Sequence, residues 1–164
     1  VLHHLDSDGD KKAKAYRRAV ELDADHVIAL MALANLEAEA QRSDQALEFY
    51  DRASQADLTK PAAAVAALQL LREQASLEER QAHAETYLLR HLHSPALASE
   101  LAQIVAQRGT DPERALELAR RAARFDRGPR KATREAFQAI ADAGIQPQAD
   151  TAQSVLDQLK PQDP

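Results

Sequence analysis

Cysteine and tryptophan are both missing from this chain. Without thiols, disulfides and thiolate metal centres are excluded, while cytoplasm and periplasm both remain open as compartments. Aromatic residues make up only 4%, which removes the stacking platforms that single-stranded nucleic acid needs. Four glycines and the lack of β-branched runs argue against sheets. No stretch approaches the roughly 18 apolar residues needed to span a bilayer; the longest near-apolar run, Ala62 to Leu71, is too short. No secretory leader is visible. The chain nevertheless opens on Val1, inside what reads as the tail of a helix, so a fragment or processed form is expected.

What is present is alanine, leucine and charge. The hydrophobic share of 45% is mostly Ala and Leu, which lose little side-chain freedom in a helix. The net charge of −5 favours solubility and sets no fold. It is unevenly spread. Residues 108–134 hold nine Arg or Lys against four Asp or Glu, a local +5 that leaves −10 for the remainder.

Residues 27–60 order the rest of the chain. They read as two amphipathic helices joined at Arg42-Ser43-Asp44. The first carries Leu30, Leu33, Ala34 and Glu37, the second Ala46, Tyr50 and Ala53. Parts of this unit recur at a step of 34: Tyr16 and Ala19 precede Tyr50 and Ala53, Asp23 precedes Asp57, and Pro61, Pro95 and Pro129 are spaced alike. A fixed period of this size marks stacked helix pairs, each sheltering the apolar face of the next.

Ala46-x3-Tyr50-x2-Ala53 resembles the second-helix signature of the tetratricopeptide repeat (TPR) family, and Leu30, Leu33 and Ala34 resemble its first-helix positions. The spacing returns as Ala115-x3-Ala119-x2-Ala122. The string LAQIVAQRGTDPERALELARRA is similar to later repeats of bacterial TPR proteins, with Thr110 as a one-residue insertion. Glu37 stands where the family usually has Tyr, and Leu58 where it usually has Pro. Arg80 falls in a small-residue slot of a degenerate unit with an altered turn at Ala75-Ser76-Leu77.

The resemblance implies an all-α fold, a right-handed α-solenoid of antiparallel helix hairpins, with about four to five helix pairs and a C-terminal capping pair. A single domain over 1–164 is expected: a partial repeat at 1–26, repeats at 27–60, 61–94 and 95–128, and a terminal helix pair at 129–160. Locally, Asp6-Ser7-Asp8-Gly9-Asp10 reads as a turn, 61–74 as one helix, and Gly128-Pro129 as a break. Residues 146–150 read as a loop before a last helix from Thr151, and 160–164 as a frayed tail.

Signatures of catalysis are missing. There is no G-x-G-x-x-G, phosphate-binding loop or H-E-x-x-H, so neither an enzyme nor a cofactor is expected. Asp6, Asp8 and Asp10 alternate as calcium ligands would, but Gly9 falls too early and Arg17 stands where the closing acid belongs. His83, His91 and His93 do not form a zinc set, since 91 and 93 lie on different helix faces; they read as solvent-facing or capping residues. Glu79 and His83 read as an i,i+4 pair. Glu78, Glu79 and Glu100 read as charged helix faces, because nothing nearby supplies a cleft. No metal is expected.

In the TPR family the first helix of each pair lines a concave surface. Its groove positions, carried over, are Ile28, Met31, Asn35, Ala38 and Glu39, then Ala62, Val65, Gln69, Arg72 and Glu73. In the next repeat they are Ala96, Ser99, Gln103, Ala106 and Gln107. Asn35 matches the residue with which TPR chaperone adaptors hold a peptide carboxylate. Met31 replaces the accompanying Lys, which argues against that clamp. Amides can satisfy peptide backbone groups, and Met adapts to apolar side chains.

The resemblance therefore implies a non-catalytic scaffold for a peptide or protein segment, of the kind that serves bacterial envelope, polysaccharide or pilus assembly. Two alternatives stay open. One is a structural self-assembly module, a homo-oligomer. The other is an accessory subunit docking an enzyme through the basic 108–134 stretch. There, Arg114, Arg121, Lys131 and Arg134 form an exposed patch or else pair with Glu113 and Glu117. Nucleic acid is disfavoured by the acidic total charge.

Overall fold

The computed structural model describes residues 3–127 and 130–159. Among these residues the regular elements are all helices: α1 (His3–Leu22), α2 (Val27–Glu39), α3 (Ser43–Ala56), α4 (Ala62–Leu71), α5 (Leu77–Arg90), α6 (Pro95–Arg108), α7 (Pro112–Phe125), α8 (Lys131–Ala143) and α9 (Gln148–Gln158). They fall into two compact units, Val1–Gln74 and Ala75–Pro164.

In the first unit α1 packs on α2, α2 forms a hairpin with α3, and α4 packs on α3. The hairpin closes because Leu30, Leu33 and Ala34 are buried against Ala46, Tyr50 and Ala53. Small residues let the helix axes approach, and the one ring fills the space left over. Val20, Val27, Met31 and Phe49 flank a core of Leu30, Ala53 and Ala63. Glu37 is buried with them. It accepts from Arg42 Nε just beyond α2 and from an Arg17 guanidinium nitrogen on α1 at 3.4 Å. A two-arginine clamp thus occupies the position where the TPR pattern has a tyrosine.

In the second unit α5 packs on α6, α6 forms a hairpin with α7, α8 lies against both, and α9 closes on α8. Ala98 and Ala102 on α6 face a helix lined by Ala115, Ala119 and Ala122, all buried. Leu97, Leu101, Ile104 and Val105 of α6 share the core with Tyr87 of α5 and Phe137 of α8. The chemistry of the ends is written in the sequence. Ser94 Oγ accepts from Leu97 N–H at 3.3 Å ahead of Pro95, and Asp111 Oδ1 accepts from Arg114 N–H at 2.9 Å ahead of Pro112. Gly109 and Gly144 end α6 and α8 in the left-handed region, with φ of 65° and 68°, where a Cβ would be strained.

Several local expectations are corrected. The segment Asp6–Asp10 is helical within α1, not a turn. Once the packed part of α1 exists, extension costs only propensity, about 1 kcal/mol at Gly9. The helix read over 61–74 stops at Leu71, and the last helix begins at Gln148 after Pro147 rather than at Thr151. Arg80 and Glu100 are not surface charges; they form a buried ion pair at 3.1 Å between α5 and α6. Of the two readings of His91, the capping one holds: it stands at the α5 C-cap, where its backbone N–H bonds to the Tyr87 carbonyl, and it is buried and does not face solvent. The altered turn at 75–77 is a capping box in which Ser76 and Glu79 bond each other reciprocally. The Gly128-Pro129 break and the 160–164 tail lie outside the described residues, as do Val1 and Leu2.

Candidate functional site

A recess in the second unit lies between α6 and α8, the first helices of their hairpins. It has a volume of about 780 Å³. Gln103 and Gln107 of α6 face Arg134, Gln138 and Asp142 of α8 across it. Ala106, Ile145 and Leu156 supply the apolar part of its lining. Gln103 Nε2 donates to Ser99 Oγ at 3.1 Å, and Gln138 Nε2 donates to Asp142 Oδ1 at 2.8 Å. Both amide oxygens are left without an intrachain donor among the described residues. The Arg134 guanidinium makes no ion pair among them either. A ligand offering backbone N–H groups and a carboxylate meets complementary chemistry here.

Of the residues read as groove positions, Gln103, Ala106 and Gln107 line this recess. Ser99 does not reach the surface; it is buried under the packed helices and serves as acceptor for Gln103. Gln138 and Asp142 were not read from the sequence, and Arg134 was read as part of a basic patch and not of the groove. Arg134, Gln138 and Asp142 follow Ser99, Gln103 and Gln107 by 35 residues. The one-residue insertion at Thr110 shifts the period from 34 to 35, and that shift was the signal that locates them.

In the first unit the corresponding residues sit on α2 and α4. Ile28 is 74% exposed, and Asn35, Glu39, Gln69 and Arg72 are exposed. Met31 and Val65 are half-buried. Asn35 is engaged within its own hairpin, since its Oδ1 accepts from the Tyr50 hydroxyl at 2.6 Å.

The four basic residues expected to form one patch are separated. Arg114 and Arg121 line a recess between α5 and α7, whereas Arg134 lines the α6–α8 recess and Lys131 pairs with Glu135 at 3.7 Å. Arg114 pairs with Glu85 at 2.8 Å, not with Glu113 or Glu117. Its long side chain reaches the neighbouring helix α5 more readily than it folds back on α7. Arg121 donates to the Leu92 carbonyl at 2.7 Å. Among the described residues there is no group of three potential metal ligands, and no helix is long and apolar enough to cross a membrane.

No family model matches the sequence, and no curated protein matches it. Solved structures do. The chain is similar to YrrB, described as a TPR protein with an unusual peptide-binding site. The TM-score is 0.62 at 14% identity, over 98% of this chain and 82% of that one. Two crystal structures of MamA align with TM-scores of 0.65 and 0.58. Each is 15% identical over 95% of this chain, covering 89% and 79% of theirs. At this identity the likeness speaks for the fold: the chain has an all-α, TPR-like fold.

Proposed function

We propose that this protein is a non-catalytic interaction module that holds a peptide or protein segment against the first helices of its hairpins. In the second unit that surface is the α6–α8 recess. The observation that carries this reading is the recess itself, where amides of Gln103, Gln107 and Gln138 and the charges of Arg134 and Asp142 border an apolar lining. Amides satisfy a partner's backbone, apolar contacts supply area, and the two charges fix direction. The solved TPR protein with a peptide-binding site, YrrB, is an analogue in fold that agrees with it. On α2 and α4, Ile28, Met31, Asn35, Glu39, Val65, Gln69 and Arg72 extend the proposal to the first unit. The setting suggested by the sequence resemblance is bacterial envelope, polysaccharide or pilus assembly.

The test is selection of a displayed random-peptide library on the full chain, followed by titration of the selected peptides. Gln107→Ala with Gln138→Ala should weaken them about tenfold or more, while the melting temperature holds. Unchanged affinity in a folded double variant would remove the α6–α8 recess as the site.

A further inference from the structure

We infer that the opposite face of the second unit, formed by α5 and α7, docks an acidic protein segment carrying apolar anchor residues. Two adjoining recesses define it. One, of about 340 Å³, is floored by Leu88, Leu89, Leu101 and Leu118. The other, of about 440 Å³, holds Leu92 and Phe125. They share Glu117 and Arg121 and so run on into one another along α7. Leu89 is 75% exposed and Leu92 is 48% exposed. Two neighbouring leucines open to water beside a recess are the sign of an apolar surface awaiting a partner.

The rim chooses the partner. Arg114, Arg120, Arg121 and Arg124 border the two recesses against Glu85 and Glu117, so arginine outnumbers acid. Arg114 is held by Glu85 and Arg121 by the Leu92 carbonyl. Arg120 and Arg124 are exposed and make no ion pair among the described residues. A guanidinium fork is matched to carboxylate oxygens. From Arg114 to Phe125 the face is about 17 Å long at 1.5 Å per residue, the span of about three helical turns in a partner. Nucleic acid fits less well. The Phe125 ring is engaged by His93, with centroids 4.8 Å apart and planes nearly perpendicular, and among the described residues no other phenyl, phenol or indole ring lines the two recesses. The leucine floor also requires apolar side chains, which an acidic peptide can present at i, i+3, i+4 and i+7.

The experiment titrates the full chain against a labelled peptide with leucine at that helical spacing and glutamate between. Binding is expected, weakening steeply with salt. It should fall about tenfold or more when glutamine replaces the peptide's glutamates or serine its leucines. Arg120→Ala with Arg124→Ala, and separately Leu89→Ser, should give comparable losses at unchanged melting temperature, since all three side chains are exposed. Any of several outcomes would overturn the proposal. These are no binding of the glutamate–leucine peptide, equal binding of polyglutamate, oligothymidylate or phosphatidylglycerol vesicles, or arginine-dependent dimerisation in sedimentation. Loss on Gln107→Ala with Gln138→Ala, but not on the arginine variant, would move the peptide to the α6–α8 recess and would likewise overturn it.

Discussion

Tyr50 donates its phenolic hydrogen to Oδ1 of Asn35 at 2.6 Å across the α2/α3 hairpin. Burial, and then the charge of Glu39, push the phenol above its ordinary pKa of 10.0, so it stays a donor across the neutral range. The asparagine that resembles a peptide-holding residue spends its oxygen on its own hairpin and keeps its NH2 for a partner. Tyr50→Phe should cost about 1 kcal/mol, and Asn35→Ala a similar amount. The double variant should cost little more than either, because both remove one bond. Urea melts of the cycle measure this; additive losses would show that the bond does not couple the helices.

Arg80 and Glu100 are both largely buried, and Arg80 Nε has no acceptor among the described residues. Removing one partner of such a pair strands the other charge. Glu100→Ala should therefore destabilise by about 3–5 kcal/mol. Arg80→Leu combined with Glu100→Leu should recover most of that, since apolar residues of similar size tolerate the site. Chemical denaturation of the three proteins distinguishes these outcomes, and a double variant as unstable as the single would contradict the account.

The helix pairs were legible because Leu30, Leu33, Ala34, Ala46, Tyr50 and Ala53 are buried where their spacing puts them. The buried charges were not. Glu37 and Arg80 read as departures from an apolar pattern, because the partners that neutralise them sit on another helix. Arg17–Glu37 and Arg80–Glu100 are both separated by 20 residues, linking one helix to the first helix of the next hairpin. No local window contains both members. The α6 side of the recess was legible for the same reason as the core. The α8 side was hidden by the insertion at Thr110, which displaces every later groove position by one. The apolar floor between α5 and α7 was invisible, since its leucines come from three helices, Leu88 and Leu89 of α5, Leu101 of α6 and Leu118 of α7, and no local window holds them together.

Two carboxylates, the exposed Glu79 and the partly buried Asp57, give the protein an acid-sensitive component. Hydrogen bonds from the Ser76 backbone and then its hydroxyl hold Glu79 below its ordinary 4.5, and bonds from the Thr59 hydroxyl and backbone hold Asp57 below its ordinary 3.8. A depressed carboxyl pKa in the folded state contributes stability that is whole above the ordinary value. That contribution is lost as pH falls through the lowered one. Ser76→Ala and Thr59→Val should each lower stability at pH 7 and flatten the decline in acid. The gap from the parent should narrow toward pH 3. It should not vanish for Ser76→Ala, because Ser76 Oγ also accepts from Glu79 N–H at 3.2 Å whatever the protonation. Urea melts across a pH series report it; a gap that widens in acid would reverse the assignment.

Asp126 governs how α8 is seated, and α8 is one wall of the α6–α8 recess. The N-cap of α8 is Arg130, in the left-handed region at φ 52°, with no side-chain bond to the helix. Its side chain has no acceptor to offer. Asp126 supplies one from the end of α7: its Oδ2 accepts from Thr133 N–H at 3.0 Å and from Thr133 Oγ1 at 2.9 Å. Thr133 is buried, so losing this acceptor strands two donors away from water. Asp126→Ala should cost about 1–2 kcal/mol, the range of a lost cap. The loss should also be local. Hydrogen exchange should speed up in the first turn of α8 well before it changes in α6 or α7, because local opening follows the weakest-held segment. Asp126→Asn, which keeps an oxygen at the cap, should restore most of the protection. If a peptide binds the α6–α8 recess, Asp126→Ala should weaken it without touching a lining residue, because one wall is no longer held. Uniform exchange across the unit in Asp126→Ala would instead mean that the aspartate supports the whole hairpin stack and not the seating of α8.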